Sequence, residues 1–131
     1  MIDHVAVRQA LRTRLLTVSG LPTAIAWENR HFEPTNNSPW IREYYYPDPE
    51  RLVAQDLIEG TGFVSYDVVY PVNSGTEDAE GLADDIKAIY EPPGSLANNL
   101  SIISSVRDPG FSEHPWYYVP VRIQWRAHSF I

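Results

Sequence analysis

Apolar residues recur with a helical period in two segments of the chain. In residues 3–18 they form one stripe, with Asp3 placed to cap the first turn and Ser19-Gly20 placed to stop the helix. That stripe consists of Val7, Leu11, Leu15 and Val18. A second helix is predicted to begin within residues 74–78, where hydroxyl and acidic side chains suit a helix N-terminus, and to end before Pro92-Pro93-Gly94. Its stripe consists of Ala79, Leu82, Ala83, Ile86 and Ile89.

Alternation with a period of two, together with short apolar runs, predicts the strands. The cleanest alternation is in residues 63–72, where the valines and tyrosines at the even positions share one face. The strands are predicted at 23–27, 40–46, 63–72, 100–107 and 116–127. Residues 28–39 and 47–61 are predicted to be long polar loops, and the stretch 50–61 shows no clear element.

The order of these elements is helix, three strands, helix, two strands. Amphipathic helices and strands with one apolar face pack most economically in two layers. We therefore predict an α+β fold with a single mainly antiparallel β-sheet and two α-helices packed on one face, as one domain over residues 1–131. Pro120 lies within the last strand and has no N–H to donate, which predicts either an edge position for part of that strand or a bulge.

Composition narrows the classes of function. The chain has 131 residues, a net charge of −7, a single lysine (Lys87) and no cysteine. An acidic chain without clustered basic residues argues against nucleic-acid binding, and the absence of cysteine excludes thiolate metal sites and cysteine nucleophiles. The first residues lack a secretory signal pattern, and no apolar run is long enough to cross a membrane, so we expect a protein made in the cytoplasm that has no membrane partner.

Candidate catalytic and metal-binding motifs are sparse in this sequence. The four histidines are not spaced as metal ligands, and nucleophile and phosphate-loop motifs are missing. Asp84 and Asp85 are neighbours on a predicted helix and diverge into solvent. Asp67 needs partners if its face of the sheet is buried, although an exposed face or a protein contact is the simpler interpretation. We predict no enzyme activity, no cofactor and no metal site.

Aromatic residues cluster in two of the predicted strands. Residues 44–46 and 116–118 each place aromatic rings on both faces of a strand, whereas a half-buried strand needs them on only one. These rings are explained either by ordinary strand propensity or by a protein interface, where tyrosine, tryptophan and arginine are enriched. The candidate interface residues are Trp40, Arg42, Tyr44, Tyr45, Tyr46, Trp116, Tyr118 and Arg122.

Several segments, taken in order, resemble the tail terminator-like proteins of tailed bacteriophages and prophages. The combination of IAWEN, a following F-x-P and a closing WYYVPVRI strand is the most specific part, and the resemblance spans nearly the whole chain. The segments are 11–15, 25–29, 32–34, 40–42, 62–72, 81–86 and 116–123. The resemblance implies an α+β fold, no catalytic residues, and a ring, typically a hexamer, at the head-proximal end of the tail in the virion.

In that role the ring would stop growth of the tail tube and present a surface to the head. The partners it implies are further copies of the chain, the tail tube protein and a head–tail connector protein, while DNA passes through without specific binding. The acidic composition then predicts an acidic or neutral channel, and loops 28–39 and 47–61 are candidates for docking contacts. The alternatives are another head–tail connector, such as a neck or stopper ring, and a small-molecule-binding α+β domain with Asp67 in a pocket.

Overall fold

The fold is an α+β arrangement of two helices and one sheet, given by a computed structural model that describes residues 1–35, 37–91 and 93–130. The sheet has eight strands and is antiparallel except for one parallel pair, β1 with β2. This confirms the predicted α+β class with a mainly antiparallel sheet. The elements are α1 (His4–Leu15), β1 (Ile25–Ala26), β2 (Trp40–Pro47), β3 (Arg51–Ala54), β4 (Leu57–Pro71), α2 (Glu77–Tyr90), β5 (Gly94–Ala97), β6 (Leu100–Arg107), β7 (Phe111–Glu113) and β8 (Trp116–Phe130).

Two long strands form the centre of the sheet. β4 and β8 have 15 residues each and pair along their whole length, from Leu57 opposite Phe130 to Pro71 opposite Trp116. The order across the sheet is β1-β2-β4-β8-β6-β5, while β3 pairs with the first residues of β4 and β7 with the first residues of β8. The hairpin of β3 and β4 therefore adds a strand beside β4 at one end of the central pair. The hairpin of β7 and β8 adds a strand beside β8 at the other end.

The main core lies between the helices and one face of the sheet, which we call the core face. The buried stripes of α1 and α2 belong to the same cluster as the even-numbered residues of β4 and the odd-numbered residues of β8. The largest buried side chains of this cluster include Trp125, Tyr66 and Tyr90. Most of the predicted helix stripes are buried, namely Val7, Leu11 and Leu15 of α1 and Ala79, Leu82, Ala83 and Ile86 of α2. Ile89 is only half-buried and Tyr90, which the stripe did not include, is buried, while Val18 is buried beyond the end of α1.

The opposite face, which we call the second face, carries a smaller cluster. Trp40, Val69 and Tyr118 are buried there, at the end of the sheet where β2, β4 and β8 meet. Residues before β2 pack against them: Ala24, Ala26 and Phe32. The rest of the second face is more open, as the exposed Tyr44 and Tyr46 on β2 show.

The stretch 50–61, in which the sequence showed no element, is a hairpin of β3 and the start of β4. Two further short strands, β5 and β7, were also missed. All four residues of β3 and all three of β7 are exposed, and only Leu96 in β5 is half-buried. A strand without a buried face has no alternation to detect, so these edges form only through pairing with strands that are already in place.

Pro120 lies in β8, which is central in the sheet, but among the described residues positions 119 and 120 have no partner strand on the side of β6 and β7, so the predicted edge position for part of this strand is confirmed. The Pro120 carbonyl accepts a hydrogen bond from the Asp108 backbone N–H at 2.9 Å, where β6 has ended at Arg107 and β7 has not yet begun. The N and C=O of one strand residue point to the same side. The missing N–H therefore falls at the turn between β6 and β7, and the ladder with β4 is intact.

Candidate interaction surface

Strand β2 divides its side chains between the two faces in the way that its alternation predicts. Ile41, Glu43 and Tyr45 lie on the core face, and Trp40, Arg42, Tyr44 and Tyr46 lie on the second face. Antiparallel pairing with β4 sets Arg42 opposite Asp67 and Tyr46 opposite Phe63. Residues directly opposite each other share a face, so β2, β4 and β8 build one continuous surface on the second face.

An ion pair lies at the centre of this surface. Arg42 donates to Asp67 Oδ2 from Nε at 3.0 Å and from Nη2 at 2.8 Å, and Ser65 Oγ donates to Oδ1 at 2.6 Å. Asp67 is only 4 % exposed, so its face is covered here and the carboxylate has the partners that burial requires. Burial alone would lower the pKa of Arg42, but the hydrogen bonds to Asp67 raise it above its ordinary value.

The Arg42 guanidinium is also clamped between two tyrosine rings. It lies 4.4 Å from the ring centroid of Tyr118 and 5.0 Å from that of Tyr44. Cation–π contacts and the ion pair together hold this arginine in one orientation. A fixed guanidinium with exposed tyrosine beside it is a pre-organised contact element, since little side-chain entropy remains to be lost on binding.

The open part of the second face is aromatic. Tyr46 stacks on Phe63 with ring centroids 4.7 Å apart, and Tyr44 lies 6.0 Å from Tyr46. Arg122 borders these rings, with its guanidinium 5.8 Å from the Phe63 centroid and Nη2 3.3 Å from Asp108 Oδ1. Tyr44 and Tyr46 remain 36 % and 46 % exposed, on a part of β2 that lies beyond β1 and pairs only with β4 within the described residues.

At one end of the second face a tighter group of rings anchors the loop 28–39. Phe32, from this loop, packs against Trp40 at 5.0 Å, and Trp40 meets Trp116 edge-on at 5.8 Å. Tyr118 stacks on Phe111 of β7 at 5.1 Å. Trp40 and Tyr118 are therefore buried by neighbours within the chain, whereas Phe111 is 42 % exposed.

At the other end, Glu59 gathers three basic side chains. Its carboxylate accepts from Arg51 at 2.7 Å and lies 3.2 Å from His128 Nε2 and 3.5 Å from Arg126 Nε. The hydrogen bond from Arg51 is the main reason that the pKa of Glu59 lies below its ordinary value. The second face thus alternates ion pairs with aromatic rings along the sheet.

Seven of the eight candidate interface residues lie on the second face, and Tyr45 does not. Tyr45 is 6 % exposed on the core face, stacks on Trp125 at 5.5 Å and lies under Arg8 at 4.6 Å. Burial raises its pKa. Phe63 and Phe111 also belong to the surface. The strand parity of Phe63 could have identified it, whereas nothing in the sequence placed Phe111.

The core face has its own ion pair, which sequence reasoning missed. Glu43 has a fully buried side chain and accepts from Arg12 Nε of α1 at 2.8 Å, from Tyr66 Oη at 3.3 Å and from the Glu28 backbone N–H at 3.4 Å. Its hydrogen bond with Arg12 raises the pKa of that guanidinium. This network joins α1, β2 and β4 beneath the helices, away from the open surface.

The described residues contain no group of three or more histidine and acidic side chains arranged to hold a metal ion. Across the same ranges, no helix has the length and apolar character to span a bilayer. An α+β domain whose most distinctive feature is an aromatic, arginine-bearing sheet face is typical of proteins that act through contacts with other proteins.

Comparison with known protein families is consistent with this class. The family model described as phage tail terminator protein matches residues 6–125, so the chain belongs to the phage tail terminator family. This membership indicates a structural or assembly role in the phage tail and makes the chain a virion component. The family is structural and not catalytic.

Solved structures share the fold. One that is 21 % identical in sequence superposes with a TM-score of 0.72, covering 97 % of this chain and 96 % of the other. At that identity the likeness concerns the fold alone. No curated protein matches the chain.

Proposed function

We propose that copies of this chain form a ring, a hexamer, that caps the head-proximal end of the tail tube. The ring stops tube polymerisation and provides the surface on which the head connector docks. The observation that carries this proposal is the second face, where β2, β4 and β8 expose Tyr44, Tyr46 and Arg122 without a covering helix. Family membership supplies the setting in the phage tail.

A cap needs surfaces of more than one kind. Ring closure requires a heterologous interface made of two different patches, and docking to the tube and to the connector requires further contacts. The second face suits docking to another protein because its aromatic rings bury much area and its ion pairs are satisfied within the chain. We assign this face to contacts with the tail tube protein or the connector.

The charge of α2 suits a ring that DNA must cross. Five acidic side chains and one lysine lie in this helix, and Glu77, Asp78, Asp84 and Asp85 are exposed. An acidic surface repels phosphate and keeps DNA from adhering during passage. We propose that α2 faces the channel, and a ring structure with a continuous arginine-lined channel would contradict this.

Loop 28–39 is a further candidate for docking. Asn36 lies outside the described residues, but Phe32 anchors the preceding part against Trp40, and residues 33–35 and 37 are exposed. The other proposed docking loop, 47–61, contains the β3–β4 hairpin and presents a strand edge instead of an irregular loop.

The assembly state tests the proposal directly. Native mass spectrometry across concentration, alone and with purified tail tubes, should show a ring, and electron microscopy should place it at one end of each tube. Rings found only at a head connector without tube contact would favour a neck or stopper protein instead. A chain that stays monomeric under all these conditions would contradict the proposal.

The second face is tested by substitution. The double variant Tyr46→Ser/Arg122→Ser should bind tail tubes at least about tenfold more weakly, since two anchor side chains are worth 1.4 kcal/mol or more together. Val5→Ser, at an 81 % exposed position on α1, is the matched control and should bind normally. Equal binding by the two variants would remove this face from tube docking.

A further inference from the structure

Two edge strands of the sheet are open at the same end of the molecule. β3 pairs only with β4, and β5 only with β6, within the described residues. β3 lies beside Leu57–Glu59, whose partners on β8 are residues 128–130, and β5 lies beside Leu100–Ile102, which pair with Trp125–Ala127. At this end the sheet therefore reads β3-β4-β8-β6-β5, with an unpaired edge on each side.

These two edges are short and each has a register irregularity, but proline and unpaired charges do not block them. Natural edge strands are commonly blocked by proline, by lysine or by inward-pointing charges. β5 has the sequence Gly-Ser-Leu-Ala without a charge, and the one charge of β3, Arg51, is neutralised by Glu59 at 2.7 Å. Leu52 and Val53 of β3 are 61 % and 42 % exposed, so apolar area accompanies the open backbone groups.

The two edges are also complementary in direction and length. Going from β3 to β5, each of the four successive strand pairs is antiparallel, so β3 and β5 run in the same direction. Each has four residues. Rotation about an axis along the strands keeps strand direction, so β3 of one copy can pair in parallel with β5 of the next, with the slanted hydrogen bonds of a parallel ladder.

The apolar faces of β3 and β5 also lie on the same side of the sheet. Leu52 lies opposite Ile58, and both Ile58 and Leu96 of β5 pack against the main core. Leu52 and Leu96 therefore lie on the same face of their strands. Beside β5, a groove between the start of α1 and the β5–β6 turn is lined on this face by Ile2, Val7 and Leu100. Leu52 from a second copy would extend the core across the interface between the two copies.

We propose that the subunits of the ring join through these edges, with β3 of one copy adding to β5 of the next and Leu52 entering the groove beside β5. This rests on the proposed ring function and names its subunit interface. With the strands along the ring axis and α2 toward the channel, the second face lies on the outer circumference, so the tail tube protein or the connector would contact it with a segment that overlaps the ring. Because the two patches differ, the contact is heterologous and can close a ring. Other open edges remain in the described residues, since β1 covers only Ile41 and Arg42 of β2 and β5 covers only the first residues of β6, but β3 and β5 are the two that face outward at the same end of the sheet.

Cysteine crosslinking tests the interface, since the chain has no native cysteine. Neighbouring strands lie about 4.8 Å apart, which suits a disulfide. Four double variants combine Leu52→Cys or Val53→Cys with Ser95→Cys or Leu96→Cys. When the assembled protein is oxidised, at least one of these variants should give a series of covalently linked oligomers. The largest of them should contain as many subunits as the ring. Tyr46→Cys/Val106→Cys, exposed 46 % and 41 % on the second face, is the control and should give none.

A charge substitution gives an independent measurement. Leu52→Lys should raise the dissociation constant of the ring by about tenfold or more, because it places a charge in the interface between two copies. Leu16→Lys, at a leucine 58 % exposed that follows the last residue of α1, is matched in exposure and should leave the ring unchanged.

The outcomes separate this inference from the proposed function. If Leu52→Lys forms rings normally and none of the four cysteine variants is crosslinked between subunits, edge pairing is wrong. The proposal that the chain forms a ring would be unaffected. Crosslinked subunits in the second-face control variant would move the interface to that face. Protein that forms no ring alone or on tail tubes would overturn both.

Discussion

Both faces of the sheet carry an arginine–carboxylate pair and aromatic rings, but the two faces bury these groups to different extents. On the core face an arginine from α1 reaches the buried Glu43, and aromatic rings such as Trp125 are fully enclosed. On the second face Arg42 reaches Asp67 from a neighbouring strand, and Tyr44 and Tyr46 stay exposed. Adjacent residues of β2, Arg42 and Glu43, thus belong to two different environments because strand side chains alternate.

The difference teaches how stability and binding are divided in this fold. Contacts on the core face cross between layers and hold the helices on the sheet. Contacts on the second face run between strands that backbone pairing already holds together. Substitutions on the core face should therefore act mainly on the free energy of unfolding, and those on the second face mainly on association.

The largest effect is expected from tryptophan truncation. Trp125→Ala should lower the free energy of unfolding by about 3–5 kcal/mol, because the residue is fully buried and leaves a cavity between helices and sheet. Trp116→Ala, at a half-buried tryptophan of the second face, should cost about half of that or less. Urea denaturation of both variants measures the difference, and equal losses would break the contrast between the faces.

The two ion pairs sharpen the comparison. Arg12→Met should cost about 2–4 kcal/mol, because Glu43 remains buried without its main partner. Adding Glu43→Leu should restore much of this loss by removing the orphaned charge. Chemical denaturation of the single and double variants tests the point, and a double variant no more stable than Arg12→Met would contradict it.

Arg42→Met should cost less, about 1–3 kcal/mol, because Ser65 still donates to Asp67 and the strands stay paired. Its larger consequence should be weaker binding to tail tubes, since the tyrosine rings lose the cation that orders them. Co-sedimentation with tubes, with Arg12→Met as the comparison variant, separates the two effects. Normal tube binding by Arg42→Met would argue against a docking role for this pair.

The smallest effect concerns pH. The pKa of Glu59 is lowered in the folded state, chiefly by its hydrogen bond with Arg51, so its stabilising effect is full above its ordinary pKa of 4.5. That effect is lost as the pH falls through the lowered pKa. Wild type should be slightly more stable than Glu59→Gln at pH about 7, and this difference should shrink as the pH falls below 4.5 through the lowered pKa. A difference in the free energy of unfolding that stays the same at neutral and at acidic pH would contradict this.

Much of the fold could be predicted because long elements bury one side. The stripes of α1 and α2 and the parity of β2, β4 and β8 follow from burial with a period that sequence records. Asp3 also caps α1 as expected, accepting from the Ala6 backbone N–H at 3.1 Å. The second-face tyrosines were therefore placed correctly relative to Ile41, Glu43 and Tyr45.

The rest depended on contacts between distant segments. The partner of Glu43 is 31 residues away along the chain, and the pairing of Arg42 with Asp67 requires the β2–β4 register. No local pattern encodes such distances. Tyr45 illustrates the limit, since its neighbours in the aromatic triplet are exposed and only the packing of α1 and Trp125 encloses it.

The sequence by itself thus determined the class of fold, the helix stripes, the strand faces and the resemblance to tail terminators, because each depends on residue order over short distances. Only the tertiary structure decided which aromatic face is left open and which strands end the sheet. The edges β3 and β5 illustrate the reason: their residues are exposed and carry no periodic signal, so they become strands only where β4 and β6 offer backbone partners.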